Sequence, residues 1–72
     1  MFKFALIYSF LGEVCYTYTQ AESLLELKKD RIARYKRMNE DYGKEAIKLL
    51  DIVQIKTYGE AHEAYLKHLE FA

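Results

Sequence analysis

The first eighteen residues carry two runs in which large apolar side chains alternate with smaller or polar ones. The even positions of residues 2–10 are Phe, Leu or Tyr, whereas the odd positions are Lys, Ala, Ile and Ser. Successive side chains of a strand point to opposite faces, so this run predicts a strand with one heavily buried face. Residues 14–18 alternate again, and the connecting residues 11–13 include a glycine suited to a tight turn. The sequence therefore predicts a β-hairpin.

The pattern becomes helical between Thr19 and Asn39. Thr19 and Glu22 form a T-x-x-E capping box, and the segment after it has no Gly or Pro and is rich in Leu, Glu, Lys and Arg. Gly43, just beyond, suits a left-handed helix stop. One arc of the helical wheel holds the apolar side chains that we expect to face the sheet, which are Leu24, Leu25, Leu27, Ile32, Tyr35 and Met38.

After a polar loop at residues 40–45, the β-branched side chains of residues 46–56 favour a strand. We expect it to run from Ile47 to Lys56, with a helical turn or two over residues 44–50 as the alternative. Thr57 and Glu60 form a second capping box, which predicts a last helix that runs to about residue 71. Its expected inward side chains are Ala61, Ala64, Tyr65 and Leu69, with His68 as a further candidate at the rim.

These elements predict a small α+β fold in the order β-β-α-β-α, with residues 1–72 forming a single domain. A three-stranded sheet can bury its aromatic face under two helices, so we expect both helices to pack on that one face. The opposite face would then be partly open, which makes it a candidate surface for a homodimer or a partner. We expect this open face to carry Ala5, Ile7, Cys15, Thr17, Leu50 and Ile52.

Length and cysteine content narrow the class of protein further. A chain of 72 residues buries a limited core, and Cys15 has no cysteine partner, so dense aromatic packing or a homodimer is the expected source of stability. A lone cysteine indicates a reducing compartment, and we predict a cytoplasmic protein.

Cys15, His62 and His68 show no metal-ligand spacing, and the histidines are expected at the surface or rim. The apolar N-terminal run is too short to span a bilayer, so no membrane partner is expected.

The charges balance overall but are unevenly placed. Eleven basic and eleven acidic residues give a net charge of zero, which excludes nucleic-acid binding through bulk charge. Within the central helix, Asp30 and Arg34 have the i,i+4 spacing of an ion pair. Six bases form a patch that fits phosphate contacts, an acidic protein partner or a solvated helix face: Lys28, Lys29, Arg31, Arg34, Lys36 and Arg37.

Several short motifs occur in a familiar order. The first strand contains Leu6-Ile7-Tyr8, and residues 12–18 read G-E-V-C-Y-T-Y. The central helix contains R-I-A-R-Y at residues 31–35, the loop has Y-G at residues 42–43, and the last helix opens T-Y-G-E-A. Over nearly the whole chain this order resembles the GIY-YIG endonuclease domain.

The resemblance implies a metal-dependent nuclease in which Tyr8, Tyr16 and Arg31 serve phosphodiester hydrolysis and Mg²⁺ is the cofactor. The chain departs from the family pattern, however. Leu6 and Tyr18 replace the motif glycines, and the position of the metal-binding Glu is taken by Tyr65. Glu63 and Glu70 are the remaining candidate metal ligands, although neither shares that position's helical face well.

The missing motif residues favour a non-enzymatic protein without a cofactor. We expect stoichiometric docking to a protein partner through the basic helix or the open sheet face, as in inhibitors or accessory factors encoded by phages and mobile elements. A divergent nuclease and a nucleic-acid-binding module without cleavage are the alternatives. Tyr8, Tyr16 and Tyr18 could serve catalysis or stack on bases, but packing with the hydroxyl at the rim is the favoured interpretation.

Overall fold

Three strands and two helices follow the predicted order β-β-α-β-α in the computed structural model, which describes residues 1–43 and 45–71. The strands are β1 (Phe2–Phe10), β2 (Glu13–Ala21) and β3 (Ile47–Ile55), and the helices are α1 (Leu24–Tyr42) and α2 (Gly59–Phe71). The predicted α+β class is therefore confirmed. Residues 47–50 belong to β3, which rejects the helical alternative there, whereas Lys44 lies outside the described residues.

The sheet is antiparallel with the order β2-β1-β3, so β1 is the central strand. The predicted hairpin between β1 and β2 is confirmed. Its two turn residues, Leu11 and Gly12, both have positive φ, 51° and 89°, as the tight turn between Phe10 and Glu13 requires.

A β-bulge interrupts the pairing of β1 with β3. Ile7 pairs with Asp51, whereas the next residue, Tyr8, pairs with Leu49. Leu50 therefore has no partner on β1 and projects beside a local kink of the edge strand.

The first helix starts later than its capping box predicts. Thr19 pairs with Phe4 inside β2, and α1 is capped instead by Ser23, whose hydroxyl accepts from the N–H of Glu26 at 3.2 Å. The predicted helix start at Thr19 is wrong because strand β2 of the hairpin continues through the first T-x-x-E motif. The helix also ends later, at Tyr42, where the N–H of Gly43 donates to the Asn39 carbonyl.

The two helices lie on opposite faces of the sheet, and the prediction that both pack on one face is wrong. On one face, Leu27 of α1 packs with Phe4 and Leu6. On the other, Ala61 of α2 packs with Ala5 and Ile55. The physical reason is that residues 4–7 form a continuous buried run, which is typical of a strand covered on both sides.

The predicted open sheet face does not exist as a surface. Ala5 and Ile7 are 0% and 1% exposed. Cys15 and Thr17 are paired with Tyr8 and Leu6, so these side chains lie on the α1 face instead. A dimer through an open sheet face is consequently excluded.

The α1 helix buries less of its apolar arc than predicted. Leu27 and Tyr35 are buried and Met38 is half-buried, but Leu25 and Ile32 are 63% and 52% exposed. Leu24 is also exposed. On α2 the expected pattern holds for Ala61, Ala64, Tyr65 and His68, which are buried or half-buried, while Leu69 is exposed.

Candidate functional site

The six bases of α1 do not form a single stripe. At about 100° per residue, Lys29 and Arg37 point away from the sheet, whereas Lys28 and Arg34 flank the buried side and Lys36 lies at the seam with β3. Arg34 pairs with Asp30 through Nε at 3.2 Å, which confirms the predicted i,i+4 contact. Arg31 lies at the centre of the helix face that covers the sheet. The six basic side chains are therefore distributed around α1 and do not form one basic patch.

A groove runs along the seam between α1 and β3. On the helix side, apolar and basic side chains alternate at i,i+4 spacing, in the order Leu24, Lys28, Ile32 and Lys36. The β3 side of the groove is lined by Ile47, Lys48, Leu49, Leu50, Asp51 and Ile52. Glu40, the next residue of the helix row, and Glu45, just before β3, also line it. We call this surface the α1–β3 groove.

The seam is open because β3 is an edge strand and α1 lies mainly over it, so no further strand covers the helix flank. Leu50 at the bulge adds an exposed side chain to the groove floor. The groove therefore combines exposed apolar groups with ammonium and carboxylate groups in equal number among the described residues, a chemistry suited to an amphipathic partner with apolar anchors and flanks of mixed charge.

A second concavity, the α1–β2 cleft, lies on the opposite flank of α1. It has a volume of about 390 Å³, and its walls include Tyr8, Cys15, Thr17, Arg31 and Tyr35. The Tyr8 and Tyr35 rings are 6.1 Å apart. The side chain of Arg31 is 19% exposed, and its buried Nε has no hydrogen-bond partner within the described residues.

The environment of the α1–β2 cleft changes the pKa of Tyr35. Burial raises the pKa of the Tyr35 hydroxyl above its ordinary value. The positive charges of Arg31 and Arg34 oppose the rise, and Tyr8 adds to it. The cleft thus places the desolvated phenol of Tyr35 beside the guanidinium of Arg31, whose buried Nε makes no hydrogen bond within the described residues.

The structure separates the candidate residues of the nuclease hypothesis. Tyr8 and Arg31 share the α1–β2 cleft, but Tyr16 pairs with Ile7 and lies on the α2 side of the sheet. Its hydroxyl is 3.1 Å from Nδ1 of His62, and its ring packs 4.8 Å from Tyr65. The sheet therefore lies between Tyr16 and the other two residues.

The candidate metal ligands are also on the far side. Glu63 and Glu70 belong to α2, across the sheet from Arg31. Within residues 1–43 and 45–71 no group of three His, Cys, Asp or Glu side chains is placed to hold a metal ion.

Other singled-out residues have packing roles. Tyr18 stacks on Tyr58 with ring centroids 4.2 Å apart, and Gln20 donates to the Tyr58 hydroxyl at 3.1 Å. Cys15 is half-buried, with its thiol 3.7 Å from the Glu13 carbonyl. None of the helices in the described part of the chain has the length and apolar character needed to cross a membrane.

Sequence reasoning placed Tyr35 in the core but missed its position beside Arg31 in the cleft. The i,i+4 spacing of these two residues was the available signal. The α1–β3 groove was missed because Leu24 and Ile32 were assigned to the core.

No family model, curated protein or solved structure matches the chain. The resemblance to the GIY-YIG domain therefore stays a prediction.

Proposed function

We propose that this protein acts by stoichiometric docking, and that its α1–β3 groove receives an amphipathic helix of a protein partner. The single observation that carries the proposal is the exposure of Leu24 and Ile32, two large apolar side chains that line the groove and remain half exposed to solvent. Exposed apolar groups framed by polar ones mark interaction surfaces.

The shape of the groove favours a helical ligand. Its row of side chains at i,i+4 spacing on α1 runs parallel to the seam, and a ligand helix can lay its own apolar ridge into such a channel. Leu24 and Ile32 on one wall and Leu50 on the other supply apolar contacts.

The charges of the groove define the flanks of the ligand. In the described part of the groove, lysines and carboxylates occur in equal number, and these residues are Lys28, Lys36, Lys48, Glu40, Glu45 and Asp51. Opposite charges flanking the apolar ridge of the ligand would meet these groups, which fixes register more than it adds affinity. An amphipathic helix with flanks of mixed charge meets both requirements.

The test is an affinity pull-down from a cell lysate with and without nuclease, comparing the wild-type chain with two variants. Ile32→Glu places a carboxylate in the groove, whereas Arg37→Glu introduces the same side chain on the outer side of α1. We expect one protein partner that survives nuclease, is lost with Ile32→Glu and is retained with Arg37→Glu.

Two results would contradict this proposal. Equal capture by wild type and Ile32→Glu would place the partner elsewhere. Capture that disappears with nuclease would instead favour a nucleic-acid-binding module, for which binding should weaken steeply with salt.

A divergent nuclease is the second candidate function, and the shared position of Tyr8, Arg31 and Tyr35 in the α1–β2 cleft supports it. The guanidinium of Arg31 is 19% exposed, and such a group can donate to a phosphate oxygen. Within the part of the chain that the structure describes, the lining of the cleft includes no carboxylate to hold Mg²⁺, which counts against this candidate. It predicts Mg²⁺-dependent nicking of plasmid DNA that Arg31→Ala abolishes and Tyr16→Phe leaves unchanged, because Tyr16 lies across the sheet. Intact plasmid with both Mg²⁺ and Mn²⁺ would reject it.

A further inference from the structure

The two edges of the sheet expose different backbone groups. The pair Phe10–Glu13 closes a two-residue turn and is therefore a hydrogen-bonded pair, after which bonded and non-bonded pairs alternate along β1 and β2. The N–H and C=O groups of alternate β2 residues consequently point away from β1. These residues are Val14, Tyr16, Tyr18 and Gln20.

The β3 edge is protected. By the same alternation, β1 bonds to Asp51 and Val53, which leaves the N–H of Ile52 pointing outward. The Asp51 carboxylate accepts from that N–H at 2.8 Å, and the bulge at Leu50 twists the edge. A side-chain cap, a bulge and charged residues are the usual means of preventing edge pairing.

The β2 edge has none of these devices. It is nine residues long with no bulge in its pairing to β1, and Glu13 at its start is its one charged residue. Among the described residues, no side chain or loop accepts from the outward N–H groups of β2. A long edge strand without a bulge, and with its one charge at the end, is a template for another strand.

We propose that β2 pairs antiparallel with β2 of a second copy of this chain, forming a two-fold dimer with a continuous six-stranded sheet. A two-fold axis at Thr17 places Tyr16 opposite Tyr18 of the second copy and Val14 opposite its Gln20, so all outward groups are matched. Glu13 then lies opposite Ala21, and no like charges meet.

The occupant is a second copy because β2 matches its own edge in length, and its single charge, Glu13, lies at one end and away from the axis. Its alternating Tyr and Thr side chains would meet the same alternation across the axis. Pairing would also extend the limited core of a 72-residue chain. Since Cys15 and Thr17 line the α1–β2 cleft, the two clefts would adjoin across the axis.

The experiment measures mass by sedimentation equilibrium over a concentration series up to high micromolar. We expect wild type to dimerise and Thr17→Lys, which places two ammonium groups face to face at the axis, to remain monomeric. Gln54→Lys, an exposed change on the protected β3 edge, should dimerise like wild type, and so should Ile32→Glu in the α1–β3 groove. Circular dichroism checks that each variant is folded.

A cysteine variant tests the register independently of the lysine. Thr17→Cys with Cys15→Ser should form an interchain disulfide on mild oxidation, because a non-hydrogen-bonded antiparallel pair brings the two Cα atoms within the range of about 4.4–6.8 Å that a disulfide spans. Gln54→Cys with Cys15→Ser should not. A wild-type monomer throughout the series would overturn the proposal. A monomer that binds a strand of a different protein at β2 would also overturn it. The proposal is likewise overturned if Thr17→Lys still dimerises and the Thr17→Cys variant does not form the disulfide.

Discussion

The two faces of the sheet are covered in different ways. On the α2 face, small side chains such as Ala61 allow close approach, two polar side chains are hydrogen-bonded within the chain, and a concavity of about 510 Å³ lies between α2 and β3. The Tyr16 hydroxyl meets His62, and the Glu60 carboxylate accepts from the N–H of Lys56 at 2.6 Å. On the α1 face, a helix with few buried residues leaves a cleft on one flank and a groove on the other.

This difference bears on which helix offers the surfaces proposed above. The exposed Leu24 and Ile32 and the partly exposed guanidinium of Arg31 all belong to α1. The α2 helix also borders the concavity of about 510 Å³ against β3, whose lining includes Glu63 and His68. We therefore base both proposed surfaces on the exposed apolar and cationic side chains of α1.

The largest expected effect is at the attachment of α1. Leu27 is buried against Phe4 and Leu6, and Leu27→Ala should lower the free energy of unfolding by about 3 kcal/mol through lost burial and the cavity left behind. Urea denaturation measures the change. Leu25→Ala is the matched control, since its side chain is mostly exposed, and a comparable loss there would contradict the assignment of Leu25 to the surface.

A substitution on the other face tests whether α2 depends on close approach. Ala61 is fully buried against Ala5 and Ile55, so Ala61→Leu should overpack the interface and cost about 2 kcal/mol. Amide hydrogen exchange should accelerate in α2 more than in α1. The control Ala33→Leu changes an exposed residue of α1, and unchanged exchange in Ala61→Leu would mean that α2 is not packed as described.

A smaller effect is expected where α1 is tied to β3. The Asn39 amide accepts from the N–H of Ile47 at 2.8 Å and donates to its carbonyl at 3.0 Å. Asn39→Ala should cost about 1–2 kcal/mol because both part-buried backbone groups lose their partner.

Asn39→Asp separates the two bonds, since a carboxylate keeps the acceptor and loses the donor. Hydrogen exchange at the Ile47 amide should accelerate in Asn39→Ala and less in Asn39→Asp. Equal protection in all three proteins would show that the two bonds do not hold the helix end.

Much of the fold followed from local patterns. The alternation in residues 2–10 and the glycine at residue 12 predicted the hairpin, and the β-branched run predicted β3 from Ile47. These signals are local because strand periodicity and turn chemistry depend on neighbouring residues.

The predictions that were wrong concerned features that depend on contacts between distant segments of the chain. The Thr19 capping box was overridden because Thr19 pairs with Phe4, and Ser23 took its place. To predict that the helices lie on opposite faces, one has to interpret residues 4–7 as a strand segment that is buried on both faces. The candidate site was predicted in part, as Tyr8 and Arg31 meet in one cleft, but the position of Tyr16 required the hairpin register.

The smallest expected effect tests the electrostatics of the α1–β2 cleft. Burial, the dominant cause, raises the pKa of Tyr35 in the folded chain, and the charge of Arg31 partly offsets it. Arg31→Leu should therefore raise the pKa of Tyr35 further in an ultraviolet or NMR titration, whereas Arg37→Leu, on the outer side of α1, should not. A pKa of Tyr35 that falls in Arg31→Leu would place the guanidinium away from the phenol.

The same shift links folding to alkaline pH. Because the pKa of Tyr35 is higher folded than unfolded, its contribution to stability is intact below the ordinary value of 10.0 and is lost as the pH rises through the folded value. Urea midpoints on either side of pH 10.0 should show a smaller loss for Tyr35→Phe than for wild type. The loss should be greater for Arg31→Leu, because removing the cation widens the gap between the two values. An identical alkaline loss in wild type and Tyr35→Phe would mean that the phenol in the cleft is not desolvated, and the contrast between the two helix layers would then rest on packing alone.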